Sequence, residues 1–315
     1  MRAVVTGGAG FIGSNLADAL LGAGAEVTVI DNLSTGREAN LHQALERGAR
    51  LRVIDVLDAD DVNAAFDEDQ PDVIFHLAAQ IDVRKSLSRP AWDAEVNVMG
   101  TINVLEGARR IDGVRLVNSS TGGAIYGEAE LRPTPETAPA RPGAAYGQSK
   151  LSAEGYCDLY ARLYGLRVVT LRYGNVYGPR QDPLGEAGVV AMFCGRLMLG
   201  ARPTVYGDGL QTRDYVYIGD VVEANLAAAA RREVSGPINI GTGRGSSVLD
   251  LVEAMGELAG AGDFSPLFEP PRLGELMHSC LDVTRAQAAL GWAASTELRD
   301  GLRLTVSATV PAPKP

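Results

Sequence analysis

The stretch Val4-Val5-Thr6-Gly7-Gly8-Ala9-Gly10-Phe11-Ile12-Gly13 decides the fold. A β-branched run over 2–6 enters it and a helical pattern over 11–22 leaves it. Three glycines at G-x-x-G-x-x-G spacing therefore lie between a strand and a helix. In such a loop Gly7 permits the tight turn, Gly10 lets the backbone approach a pyrophosphate, and Gly13 lets helix and strand pack closely. The free N–H groups at Phe11 and Ile12 open the helix, and its dipole favours an anion there. A glycine pattern alone is weak evidence, and a plain strand–helix turn is the bland reading; the strand-loop-helix context gives the pattern its weight. A second strand, 26–31, ends in Asp31. A carboxylate at that place accepts hydrogen bonds from ribose hydroxyls and repels a 2′-phosphate, which points to NAD over NADP. Arg37 nearby pulls the other way.

Outward from the loop, short apolar runs at 51–55, 73–77, 115–119 and 167–171 alternate with helical patterns at 58–66, 91–110 and 145–164. That rhythm predicts an α/β fold with a doubly wound parallel sheet covered on both faces. After about residue 179 the rhythm breaks into Pro- and Gly-punctuated segments. A helix at 220–230 and a strand at 237–240 then rejoin the sheet. The expected division is a dinucleotide-binding domain of 1–178 plus 217–245, a smaller interleaved substrate lobe of 179–216 plus 246–310, and a flexible tail, 311–315.

Glycine makes up 37 of 315 residues, about 12% against roughly 7% on average, without a collagen period or a polar low-complexity tract. The excess therefore belongs to turns and close backbone approaches. The net charge of −10 argues against nucleic acid or an anionic membrane as partner. It leaves room for a small anion at a local positive site. Three cysteines, Cys157, Cys194 and Cys280, are odd in number and far apart, which fits a reducing cytoplasm. No apolar run reaches the length of a membrane span. Three histidines, His42, His76 and His278, show neither triad nor metal spacing, so no metal is expected.

Tyr146 and Lys150 stand at i and i+4 of the 145–164 helix and share one face. A free tyrosine is a poor base at neutral pH, and a neighbouring ammonium favours its phenolate. The pair therefore reads as base and activator; a solvated helix pair is the alternative. Such chemistry needs a hydroxyl near the reacting carbon. The 115–119 strand runs into Ser119-Ser120-Thr121-Gly122-Gly123, at the strand end where parallel sheets place their sites, so Ser120 and Thr121 are the candidates.

These motifs resemble the extended short-chain dehydrogenase/reductases, and within them the UDP-glucose 4-epimerases and related sugar-nucleotide epimerases. The resemblance covers nearly the whole chain through TGGAGFIG (6–13), DNLSTG (31–36), HLAAQ (76–80), SST…IYG (119–127), YGQSK (146–150), RYGNVYGPRQ (172–181), YGDGLQTRDYVYIGDVV (206–222), NIGTGRG (239–245) and PPRLGE (270–275). It implies that Asp31, Asn32 and Ser34 hold the adenosine ribose, that Asp55 and Val56 flank adenine, and that Leu77, Ala78, Ala79, Gln80, Asn97, Ser119 and Tyr173 line or support the NAD site. It implies Asn175, Arg213 and Arg272 on a substrate diphosphate, Thr204, Val205 and Tyr206 along a uracil, and Arg84, Val189, Glu275 and Ser279 elsewhere on the substrate. The small Ser279 implies tolerance of N-acetylated sugars. Relatives also form homodimers through paired helices, here 91–110 and 145–164.

One departure is clear. The family's catalytic Ser or Thr lies four residues before the tyrosine of the V-Y-G turn, which is Gly122 here, so Thr121 is expected to serve through a rebuilt turn. The implied reaction is C4 epimerisation of a UDP-hexose through a 4-keto sugar. A 4,6-dehydratase is disfavoured, because Gly122-Gly123 stand where it needs an acid pair. A UDP-glucuronate 4-epimerase or decarboxylase, using Arg84 or Arg180 on a carboxylate, is the runner-up. A non-catalytic dinucleotide-binding protein is the reading from another class, and such proteins commonly lose the Tyr–Lys pair.

Overall fold

Successive side chains on the central strands enter opposite cores. Val5, Val29, Phe75, Val117 and Val169 pack with Leu16, Ala17 and Leu20 of the helix Phe11–Gly22 and with Val221, Ala224 and Ala228 of Ile218–Ala230. Val4, Ile30, Ile74, Leu116 and Val168 pack on the other face, with Phe66 of Ala59–Asp69, Leu105 of Gly100–Ala108 and Tyr160 of Ala145–Tyr164. Period-two burial on both faces is what a sheet sandwiched between helices requires.

The computed structural model describes residues 1–182, 188–259, 263–272 and 276–309. Strands β1 (Arg2–Thr6), β2 (Glu26–Asp31), β3 (Arg50–Val53), β4 (Val73–His76), β5 (Arg115–Thr121) and β6 (Arg167–Tyr173) join Gly236–Ile240 in one seven-stranded sheet. All pairings are parallel, in the order Gly236–Ile240, β6, β5, β4, β1, β2, β3. The chain winds outward from β1 in one direction and from β4 in the other, so a crevice opens beyond their carboxyl ends. The doubly wound sheet is the one the sequence predicts. Its third strand lies at Arg50–Val53, earlier than 51–55, which leaves Asp55 in the loop beyond it.

The long pattern at 91–110 is interrupted. Helix Pro90–Ala94 passes through one π-helical turn, Glu95–Met99, into helix Gly100–Ala108. Such a turn inserts one extra residue into an α-helix and is frequent at functional sites; hydrophobic spacing does not reveal it.

A third cluster lies off the sheet. Tyr177, Phe193, Val205, Leu251, Met255, Leu302 and Val306 pack together there, supplied partly by helices Val189–Met198, Val248–Ala259 and Leu298–Thr309, none of which the sequence reading assigns. Short pairings complete it: Thr204–Tyr206 with Leu267–Glu269, Asn175–Tyr177 with Tyr215–Tyr217, and Thr212–Arg213 with Ser246–Ser247. Ala286, Leu290 and Trp292 return to the sheet's own core. The tail 311–315 lies outside the described residues. Among them, no helix is long and apolar enough to cross a membrane.

Candidate active site

The glycine loop is shaped by what it touches. Gly7 has φ +67°, and a Cβ there would stand 2.6 Å from the backbone nitrogen of Ala78 just beyond β4. A Cβ on Gly13 would meet the Gly7 carbonyl oxygen at 2.4 Å. No side chain fits at either place, so β1, the helix start and the end of β4 close on one another and leave the N–H groups of the helix start facing the crevice. Asp31 lies at the rim. Its carboxylate accepts from the backbone N–H groups of Ala9 (2.9 Å) and Leu33 (2.8 Å), and burial raises its pKa against the pull of these bonds. Each oxygen keeps a further lone pair, so the cradle and the carboxylate together fit the pyrophosphate and ribose of a dinucleotide. Asn32 donates to Asp55 (2.8 Å), and the side-chain oxygen of Asn32 caps Ser34 N–H (3.0 Å). Val56 is buried under Gly100. Arg37 is engaged by Asp182 at 2.5 Å, so a carboxylate already answers its charge.

Leu77, Ala78 and Ala79 follow β4 at the crevice, half-buried. His76, at the end of β4, is buried and neutral: burial, then the Lys150 charge, hold it down to about 3. Its ring nitrogens meet the hydroxyls of Thr6 (2.8 Å) and Thr101 (3.0 Å). Gln80 and Asn97 exchange hydrogen bonds, Gln80 N–H to the Asn97 side chain and the Asn97 amide to the Gln80 carbonyl, both at 3.0 Å. Ser119 donates to the His76 carbonyl (2.8 Å). The Tyr173 hydroxyl donates to Asn225 (2.9 Å).

Tyr146 and Lys150 stand one turn apart on Ala145–Tyr164, and the Tyr146 N–H donates to Ser86 (3.1 Å). Of the two candidate hydroxyls, the one that acts on the Tyr146 phenol, favouring its phenolate, is that of Thr121. Ser120 Oγ is buried with no partner among the described residues. The rebuilt turn is one helical turn, Gly122–Ile125. A Cβ at Gly122 would meet the tip of the Leu281 side chain at 2.6 Å, so a hydroxyl-bearing side chain there would have to push Leu281 aside, and Thr121, at the last residue of β5, is the hydroxyl that acts on Tyr146. Burial, then the Asp93 charge, push the Tyr146 phenol up to about 12, opposed by Thr121. Burial pulls Lys150 down to about 8 against Cys157, Glu154 and Asp93.

On the other side of the crevice, Asn175 Oδ1 is buried with no partner among the described residues. It stands where a Cβ on Gly123 would come within 3.1 Å. The Arg272 guanidinium lies 3.9 Å from the centre of the Tyr206 ring. Thr204–Tyr206 is the strand paired with Leu267–Glu269. Arg213 donates to the Thr212 carbonyl (2.9 Å), and Ser279 N–H to the Thr212 carbonyl (3.1 Å). Val189 begins its helix, and Arg84 lies exposed on Val83–Ser88. Arg180 Nη2 is paired with Asp18 at 2.6 Å, and its Nη1 is buried with no partner among the described residues. Glu275 lies outside the described residues.

Sequence reasoning missed three buried acids. Glu154 holds Arg172 (2.6 Å). Asp214 accepts from Thr242 N–H and hydroxyl (both 2.7 Å), Gly243 N–H (3.1 Å) and Leu281 N–H (3.2 Å), tying the loop after Gly236–Ile240 to the strand behind Arg213. Asp93 accepts from Gln80 (2.7 Å) and Asn97 (3.2 Å). Glu154, at four-residue steps from Tyr146 and Lys150, and Asp93, four before Asn97, carried a usable spacing signal; Asp214 carried none.

The family model described as the NAD dependent epimerase/dehydratase family matches residues 3–241. The chain is 44% identical over 308 residues to a UDP-glucose 4-epimerase of Mycolicibacterium smegmatis, covering 97% of both. Its structure superposes on a Thermotoga maritima UDP-glucose 4-epimerase solved with UDP-glucose, with TM-score 0.92, 44% identity and 98% of each chain covered. A Thermus thermophilus UDP-glucose 4-epimerase in complex with NAD gives TM-score 0.90 at 44% identity, over 98% of this chain and 99% of that one.

Proposed function

The chain belongs to the NAD dependent epimerase/dehydratase family, and on that premise we propose that it interconverts UDP-glucose and UDP-galactose by NAD-dependent epimerisation at C4. The observation that carries the catalytic assignment is Tyr146 and Lys150 one turn apart on the same helix, with Thr121 at the end of β5 favouring the Tyr146 phenolate. NAD, when bound, supplies a reversible acceptor for the hydride of the sugar C4, so that the ring passes through a 4-keto stage and can regain hydrogen on its opposite face. Gly7, Gly10, Phe11, Ile12 and Gly13 cradle its pyrophosphate and Asp31 its ribose.

Tyr146 takes the proton from the sugar O4 and returns it after the face change. Buried beside Asp93, its phenol needs a cation to ionise at neutral pH, and Lys150 is the cation on its own helix face. Thr121 donates to the same sugar oxygen and fixes its position. Arg213 and Arg272 hold the diphosphate on a protein of negative net charge, and the Arg272 plane over Tyr206 presents a flat cation beside the uracil strand. The small Ser279 leaves room for an N-acetyl group. We assign the cofactor to 1–178 plus 217–245 and the sugar to 179–216 plus 246–310. Three free cysteines fit a cytoplasmic enzyme. The exposed Met99, Leu163 and Tyr164 fit a homodimer through paired helices, which light scattering would reveal as twice the chain mass.

The test supplies UDP-glucose and UDP-GlcNAc in turn without added oxidant or reductant. Both should yield their 4-epimers, and Tyr146→Phe should slow turnover about 10²–10⁴-fold. Failure with every 4-hydroxy nucleotide sugar sinks the assignment; failure with UDP-GlcNAc alone sinks only the role of Ser279.

A further inference from the structure

Asp93 has chemistry that this function leaves unused. Its side chain is 0% exposed. One carboxylate oxygen accepts from the amides of Gln80 and Asn97. The other is buried with no hydrogen-bond partner among the described residues. Neutral amides do not balance a charge, and a buried carboxylate without a cation is costly. Helix Pro90–Ala94, which carries Asp93, packs against Ala145–Tyr164, and the charge of Asp93 is felt by both Tyr146 and Lys150.

We propose that Asp93 is a positioning residue for Tyr146 and Lys150, the counter-charge that keeps Lys150 an ammonium in a dry site while Gln80 and Asn97 hold the carboxylate in place. The inference rests on the reading of Tyr146 and Lys150 as the catalytic pair. The other titratable groups acting on Lys150 are Glu154 and Cys157 on its own helix and His76 at the end of β4, and Tyr146 stands one turn before it on that helix. Glu154 is neutralised by Arg172. Burial pushes the Cys157 thiol up to about 12, and His76 is neutral, so neither carries charge at working pH. Asp93 is the carboxylate left to face the lysine.

Asp93→Asn removes the charge and keeps the shape and an acceptor oxygen. Loss of a carboxylate makes the phenolate of Tyr146 easier to form and the ammonium of Lys150 easier to deprotonate. Both limbs of the kcat–pH profile of the NAD-loaded enzyme should therefore move to lower pH by about one unit, with KM for the nucleotide sugar unchanged. Asp93→Glu, which keeps the charge, should retain the wild-type profile. A folded Asp93→Asn enzyme with unmoved limbs overturns the proposal, as does an Asp93→Glu profile shifted like that of Asn.

A second measurement needs no variant at position 93. The chain has three lysines, Lys85, Lys150 and Lys314, so the Lys150 signal in a ¹³C-lysine NMR titration is assignable through Lys150→Arg. A wild-type midpoint below about pH 7, far under the ordinary lysine value, overturns the proposal. If the catalytic pair itself is misread, Tyr146→Phe keeps its turnover whatever happens at Asp93, which separates the two failures.

Discussion

Glu154 and Asp93 are both buried carboxylates at the helix that carries Tyr146 and Lys150, and their surroundings differ. Glu154 meets the guanidinium fork of Arg172, Nε at 3.0 Å and Nη2 at 2.6 Å, with both side chains under a tenth exposed. Arg172 passes on to the Tyr126 hydroxyl (2.7 Å), and Tyr126 to Asn239 (2.8 Å). Asp93 meets two amides and, among the described residues, no further hydrogen-bond partner. Burial is the same; the charge of the partner is not. The charge of Glu154 acts on Lys150 ahead of that of Asp93, but Arg172 offsets it, so the pair as a whole chiefly joins elements, here Ala145–Tyr164, β6 and the turn after β5. A carboxylate matched only by amides keeps its field, and Tyr146 and Lys150 lie within it.

The comparison breaks first at Glu154. Glu154→Ala leaves the Arg172 guanidinium buried without its anion, which should cost about 3–5 kcal/mol of stability, read as a lower denaturant midpoint. Removing both charges together, in Glu154→Gln/Arg172→Gln, should leave the limbs of the kcat–pH profile in place if the pair is neutral to its surroundings. Limbs that move as far as those of Asp93→Asn would show that the two acids do the same work and erase the distinction.

These acids also mark where sequence reading stops. The glycine loop was legible because strand, loop and helix are contiguous, and Asp31 because it ends the next strand. Tyr146 and Lys150 were legible because a helix face repeats every four residues. Thr121 was half-legible. The family pattern points to Gly122, where the Leu281 side chain, 159 residues further along the chain, lies against the bare backbone, a contact that no local rule reveals. The 91–110 helix was legible as a helix but its π-helical turn was not, since one extra residue leaves the apolar spacing readable. Arg172 and Glu154 are 18 residues apart, and no local rule couples a strand residue to a helix residue at that separation. Apart from Ile218–Ala230, the long helices after residue 179 were lost among prolines and glycines, although Phe193, Leu251 and Leu302 build one core.

A smaller effect is expected where the two sides of the site meet, at the Thr121 hydroxyl. Thr121→Val keeps the branched shape at the end of β5 and removes the hydroxyl that favours the Tyr146 phenolate. Loss of one such donor should lower kcat about 10²-fold while the unfolding midpoint stays in place. A normal kcat in this variant would pass the role to Ser120, whose buried oxygen has no partner among the described residues, and Ser120→Ala would then carry the loss.

The smallest effect tests whether the Glu154 side is structural throughout. Tyr126→Phe leaves the ring beneath the Arg172 guanidinium, 5.1 Å away, so the cation–π contact survives. What disappears is one hydroxyl that accepts from Arg172 and donates to Asn239. Arg172 keeps Glu154, but the Asn239 oxygen is left buried and unanswered, a loss of about 1–2 kcal/mol. Tyr126 follows the Gly122–Ile125 turn directly, so if that turn is held by backbone and packing alone, kcat should be unchanged while stability falls. A fall in kcat equal to that of Thr121→Val, at unchanged KM, would mean instead that the hydrogen-bonded chain from Glu154 reaches the catalytic hydroxyl. Both acids would then act on the reaction, one through charge and the other through the placement of Thr121.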